Sequence, residues 1–162
     1  MTVTSALFVL GERLGERPTT TPEIPHQQLD QIAPVELQEE LWRRMSGLDH
    51  VRTGPSVVSL PETRALHMEP AHAYGPASAF VRDSTEFAHL HGVFDGSLHA
   101  LLPEADAAEA VEKGWAELHP IVHEGRCPPT LVLLYGPRDE DELETVWELV
   151  RRSHAFASGQ IL

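Results

Sequence analysis

One cysteine, one lysine and no long apolar run set the first limits on this chain of 162 residues. Cys127 has no second thiol to pair with, so an internal disulfide is excluded, which fits a reducing cytoplasm. A single lysine, Lys113, and scattered arginines stand against a formal net charge of −13, so no basic stripe exists to neutralise phosphates. Nucleic acid and anionic membrane surfaces are therefore not expected partners, and the acidity reads as a solvated surface. The N-terminal apolar run Ala6 to Leu10 is too short to cross a bilayer and has no basic leader, so a cytoplasmic protein is expected. A Gly-x-Ser-x-Gly elbow, a glycine-rich phosphate loop, His-Glu-x-x-His and Cys-x-x-Cys are all missing. Cys127, ahead of Pro128-Pro129, reads as a buried inert thiol rather than a nucleophile.

What the chain does have is histidine, ten of them. Three fall in Phe87-Ala88-His89-Leu90-His91-Gly92-Val93-Phe94-Asp95-Gly96-Ser97-Leu98-His99, where Asp95-Gly96 between alternating segments signals a hairpin. A three-residue loop, Phe94 to Gly96 with Gly96 left-handed, pairs His91 with His99. That register puts Ala88, Leu90, Leu98, Ala100 and Leu102 on one face. Phe87, His89, His91, Ser97 and His99 take the other. A two-residue loop would mix imidazoles and leucines on both faces, so the three-residue register is the expected one.

Around this hairpin, residues 1–33 are rich in proline and threonine and read as an extended arm on the surface. The remainder, 34–162, reads as one domain. Helical spacing over 34–47 places Leu37, Leu41, Met45 and Leu48 on one side, with Gly47 to end the helix. Strands follow over 51–60 and 63–69, and a loop runs from Pro70 to Ser84. After the hairpin, a helix is expected from Pro103 to about Leu118, interrupted only by Gly114. The continuous apolar run Thr130 to Tyr135 reads as a central strand. Asp139 with Glu142 reads as a capping box opening a helix to about Phe156. The order implies an α+β fold: a mostly antiparallel sheet of about five strands with helices packed on one face, leaving the histidine face for a ligand.

Imidazoles at i and i+2 plus one across the hairpin can approach facial coordination of a divalent metal (iron, copper or zinc). His89, His91 and His99 are thus candidate ligands and candidate catalytic groups. His67 and Glu69 adjoin them, and with His72 and Tyr74 they are candidates for substrate contact. By parity Glu86 falls on the opposite face unless the strand bulges there. Arg138, after the apolar run, is a candidate anchor for a substrate carboxylate or enolate, its alternative being an ion pair with Asp139 or Glu142. His119 reads as a helix-end histidine favoured by the dipole. Two other readings of the hairpin stand beside the metal: histidines bonded only to each other and to Ser97, or metal-free acid–base work.

Several blocks together resemble one family. Phe87-Ala88-His89-Leu90-His91, Asp95-Gly96-Ser97-Leu98-His99, Gly114-Trp115-Ala116-Glu117-Leu118-His119-Pro120 and Tyr135-Gly136-Pro137-Arg138-Asp139 are similar to the luciferase-like domain named after fungal luciferases. The likeness runs from about Pro18 to Phe156. Fungal luciferases oxidise a hydroxylated α-pyrone with O2. The resemblance therefore implies a small oxygenase-like enzyme acting on an enolisable aromatic or pyrone-like molecule, metal-dependent or cofactor-free. A non-catalytic ligand- or metal-binding module and a metal-dependent hydrolase or isomerase are the competing functions. Oligomeric state is left open.

Overall fold

A computed structural model describes residues 9–162; residues 1–8, which hold most of the Ala6 to Leu10 run and the start of the arm, lie outside the described residues. Among the described residues the architecture is α+β, with a six-stranded antiparallel sheet and four α-helices. In chain order these are α1 (Val35–Ser46), β1 (Val51–Pro55), β2 (Arg64–Met68), β3 (Glu86–Leu90), β4 (Leu98–Leu101), α2 (Glu104–Glu112), β5 (Ala116–Leu118), α3 (Pro120–His123), β6 (Leu131–Leu134) and α4 (Glu140–Ala157). The strands lie in the order β1-β2-β3-β4-β6-β5. Among the described residues no helix is long and apolar enough to cross a membrane.

Residues directly opposite on paired strands share a face, so the register sorts the sheet into rows. One row reads Leu66, Ala88, Ala100, Val132 and Leu118, and it faces the helices. Leu41 and Met45 of α1 and Leu143, Val146, Leu149 and Val150 of α4 complete that core, all nearly inaccessible. Each such aliphatic side chain contributes about 1.5–3 kcal/mol by leaving water. The adjacent row reads Ala65, His89, His99, Leu133 and Glu117 and points the other way. Helices α1, α2 and α4 on one side and histidines on the other is the expected division, while the short α3 lies with the histidines, its N-cap His119 packed on the rings of His26 and His99.

Three local readings are corrected. The helix after the hairpin stops at Glu112, because Gly114 takes φ +86° and turns the chain into a sixth strand, β5, where a continuing helix was expected. The hairpin loop is five residues, Gly92 to Gly96, with the Asp95 and Gly96 amides both donating to the Gly92 carbonyl. His89, not His91, therefore faces His99. That shift of two residues preserves parity, so the partition of faces survives, and Gly96 is left-handed at φ +68° as expected. Finally β3 bulges: Leu66 pairs with Ala88 but His67 pairs with Glu86, leaving Phe87 as the extra residue. Phe87 consequently enters the helix-side core, and Glu86 turns onto the histidine face.

Residues 9–33 are nearly free of regular structure yet send polar side chains inward. A turn closed by Thr21 N–H to Gln27 O and Leu29 N–H to Thr19 O presents His26, which is 3% exposed. Arg17 donates to the Ala116 carbonyl, and Trp115 Nε1–H donates to the Gly11 carbonyl, tying the segment across β5.

Candidate active site

The histidine face forms the floor of a cavity of about 530 Å³. Five imidazoles line it: His26, His89, His91, His99 and His119. The two ladder residues His89 and His99 lie side by side, and His91 and Ser97 sit where the ladder ends, joined by His91 N–H to Ser97 O.

Hydrogen bonds fix which nitrogen of each ring carries the proton. Glu86 is wholly buried and accepts from Ser56 Oγ, Val57 N–H and His89 Nδ1, the last at 2.7 Å. His89 thus holds its proton on Nδ1, and Nε2 is a lone pair. Ser97 Oγ donates a short hydrogen bond to Asp95, so it must accept from His91 Nδ1–H at 2.9 Å. The His91 Nε2 is again a lone pair. Glu117 accepts from His26 Nε2–H at 3.0 Å, leaving His26 Nδ1 to accept from His99 Nε2–H, also at 3.0 Å. The remaining nitrogen of His99, Nδ1, is therefore bare.

Three lone pairs meet. His89 Nε2 and His91 Nε2 each lie 3.0 Å from His99 Nδ1, with no proton assigned between them. Charge points the same way. Burial pushes the Glu86 and Asp95 carboxyls up, but the neighbouring imidazoles, His89 beside Glu86 and His91 beside Asp95, together with the Ser56, Val57 and Ser97 hydrogen bonds, bring both below the ordinary carboxylate values. Burial holds His89 below its usual value and, with His91 and His89 as neighbours, His99 well below. Glu86 and Asp95 are ionised, and no lysine or arginine pairs with either among the described residues. Asp95 Oδ2 sits 3.2 Å from His91 Nδ1 without hydrogen-bond geometry and has no other partner. Buried anions are normally balanced, so a cation among the three bare nitrogens fits this donor set. Carboxylates behind ligating imidazoles are the usual way such rings are oriented.

A second trio, His26, His99 and His119, also has one nitrogen of each within 4.8 Å of the others. It fits a metal less well. His119 Nδ1 accepts from Ile121 N–H as the N-cap of α3, which puts its proton on Nε2.

The other expected site residues fall elsewhere. Arg138 is taken by Glu142, which it grips through Nε and Nη2, and also donates to Gln31 and the Leu14 carbonyl, so it is a structural tie away from the cavity. His67 spends Nε2 on the Pro55 carbonyl at 2.9 Å, drawn over the β1 edge rather than to the cavity. Glu69 and His72 lie after β2 beside His50, whose ring stacks on that of His72 at 3.5 Å, and Tyr74 is 75% exposed. None of these four reaches the cavity wall.

Sequence reasoning missed His26, Glu117 and the cavity-facing position of His119. His26 meets His99 across 73 positions of chain, which no local pattern reveals. Glu117 and His119 did leave a signal: Ala116-Glu117-Leu118-His119 alternates with period two.

Comparison with known proteins finds a domain match and several fungal relatives. Residues 84–153, spanning β3 to most of α4, match the Luciferase domain. The luciferase of Neonothopanus nambi is 39% identical over 161 residues, covering 91% of this chain and 60% of that protein. The family match is thus confined to residues 84–153, while the likeness to the Neonothopanus nambi protein runs along most of the chain. The luciferases of Armillaria gallica and Armillaria mellea are 39% identical over 80 residues, 48% of this chain and 30% of each of those proteins. The chain thus spans about a third to three-fifths of the length of these fungal luciferases. No solved structure matches it. His89, His91, Asp95, Ser97, His99, Glu117 and His119 all lie inside the matched luciferase domain, whereas His26 comes from outside it.

Proposed function

We propose that the cavity is the active site of an oxygenase that uses a divalent metal (iron, copper or zinc) to oxidise an enolisable aromatic or pyrone-like molecule. The observation that carries this reading is the convergence of three proton-free imidazole nitrogens over two buried, unbalanced carboxylates. His89 Nε2, His91 Nε2 and His99 Nδ1 would hold the ion, which would supply stabilisation of a substrate oxyanion and, if redox-active, reaction with O2. The relatives' name, luciferase, supports an oxidative reaction on a small molecule.

The chain's own residues have separate tasks. Glu86 and the Asp95–Ser97 pair hold His89 and His91 with their bare nitrogens inward. Glu117 holds His99 through His26. Ile24, Val58, Leu60 and Phe94, all exposed on the cavity lip, suit a flat apolar body. Arg82 and Arg126 are the arginines on the cavity wall, and they replace Arg138 as anchors for an anionic group. Arg126 is paired with Glu124 at the surface.

Metal analysis of protein purified without a histidine tag tests the proposal. One equivalent of iron, copper or zinc per chain is expected, lost in His91→Ala, with O2 uptake on a 3-hydroxy-2-pyrone or catechol. O2 uptake by metal-free protein would replace the metal with acid–base catalysis. Bound zinc without O2 uptake would favour hydrolase or isomerase chemistry.

A further inference from the structure

The five cavity imidazoles, in their neutral forms, carry five ring protons, and four of these are already given away. His89 Nδ1–H goes to Glu86, His91 Nδ1–H to Ser97, His99 Nε2–H to His26 and His26 Nε2–H to Glu117. The fifth belongs to His119. Its Nδ1 accepts from the Ile121 amide at 3.2 Å, so the proton sits on Nε2 at the far edge of the ring. That edge has no hydrogen-bond partner among the described residues, although His119 is half-buried on the cavity wall and its ring packs against those of His26 and His99. A polar N–H left without a partner inside a cavity is a donor awaiting an acceptor.

We propose that His119 Nε2–H is the donor that holds the anionic or carbonyl oxygen of the bound molecule, making His119 the residue that selects ligands with an oxygen at that end. The backbone cap sets the direction of the ring before any ligand arrives, so the donor is in place without reorganisation. The chemistry selected is an enolate, phenolate or conjugated carbonyl on a flat body. A cationic ligand would meet an N–H where it needs an acceptor. The role rests on the reading of the cavity as the ligand site, but not on a metal being bound.

Titration of 4-nitrocatechol, whose absorbance reports its ionisation, tests it with protein both as purified and after chelation. His119→Asn separates the two duties of the ring: its side-chain oxygen can still cap the Ile121 amide, but its N–H cannot reach the Nε2 position. The expected result is a wild-type Tm with binding about 10- to 100-fold weaker, the loss of one hydrogen bond to a charged group. His119→Gln, which extends an N–H toward the Nε2 position, should lower Tm through the lost cap while recovering part of the affinity. In 15N-labelled wild-type protein, the His119 Nε2–H resonance should move downfield on saturation. Wild-type affinity in a stably folded His119→Asn overturns the donor role alone. Wild-type protein that ignores the probe with and without metal overturns the cavity reading and the donor role together.

Discussion

The buried trio His89, His91 and His99 and the surface group His50, Glu69 and His72 are both metal-capable by composition and by distance, their ligand atoms lying within 4.8 Å in each case. They differ in what stands behind the rings. In the cavity every outer nitrogen is held by a partner that is itself held: Glu86 by two donors of the loop after β1, Ser97 by Asp95, His26 by Glu117, and Glu117 in turn by Thr20 and Tyr135. At the surface His50 is 3.9 Å from Glu69, its side chain is 53% exposed, and its ring lies flat on His72. Parallel rings keep their lone pairs in separate parallel planes rather than aiming them at one point. Ligand type and proximity are thus shared, while convergence and a low-dielectric setting belong to the cavity alone. It is those two properties on which the proposed metal position rests.

The largest effect should come from deleting the nitrogen common to both inner contacts. His99→Ala is expected to abolish stoichiometric metal in protein purified under metal-sufficient conditions, whereas His72→Ala should leave one equivalent per chain. Inductively coupled plasma mass spectrometry reads both. Metal lost from His72→Ala and kept in His99→Ala would reverse the comparison. The next largest effect should come from Glu86→Gln, which keeps the shape but removes the charge behind His89. Carboxylates in this position typically tune affinity by about 10- to 100-fold. Competition against a chromophoric chelator should show a loss in that range, with metal still bound at excess.

How far the site was legible depended on the distance over which each residue acts. His89, His91 and His99 were readable because strand parity is local, and a two-residue error in the loop left parity intact. Glu86 and Phe87 exchanged faces because a single extra residue in β3 cannot be seen without its partner strand. The run from Pro103 to Leu118 carried apolar residues at helical spacing, and that pattern masked the strand at Ala116–Leu118 until the left-handed Gly114 is known. His26 was out of reach, since the arm that carries it is placed by long-range ties such as Arg17 to Ala116. The helices followed their caps: Asp139 accepts from the Glu142 amide, and α1 begins after Pro34.

The carboxylates and imidazoles behind the cavity also predict one direction of pH dependence. Glu86, Asp95 and Glu117 are held below their ordinary values, so their stabilisation is present above the unfolded carboxylate range of about pH 4 and is lost as pH falls through the folded values. His89 and His99 are also lowered, so the unfolded chain takes up protons first, below about pH 6.5, and again stability falls with pH. Both slopes have the same sign. Tm measured from pH 7.5 to 4 should fall steadily from near pH 6.5 downward, and His99→Asn should flatten the upper part of that fall. A Tm that rises on acidification would mean the buried rings are charged in the folded protein.

The smallest effect separates an arginine that holds the fold from one placed to hold a ligand. Arg138 grips Glu142, whose side chain is only 10% exposed, and reaches Gln31 and the Leu14 carbonyl of the N-terminal segment. Its removal strands a mostly buried carboxylate and loosens the segment that carries His26. Arg138→Ala should cost about 1–2 kcal/mol, more than a free surface pair because of that stranded charge. Arg82 stands on the cavity wall, exposed and with no ion-pair or hydrogen-bond partner among the described residues. Arg82→Ala should leave Tm unchanged and weaken 4-nitrocatechol by a few-fold, since a solvated cation contributes only about 0.5–1 kcal/mol to an anion beside it. Thermal melts and the same absorbance titration on both variants check the pair. If Arg138→Ala weakens the probe at constant Tm, the anchor lies at the end of β6 after all, and the cavity wall must be redrawn to include it.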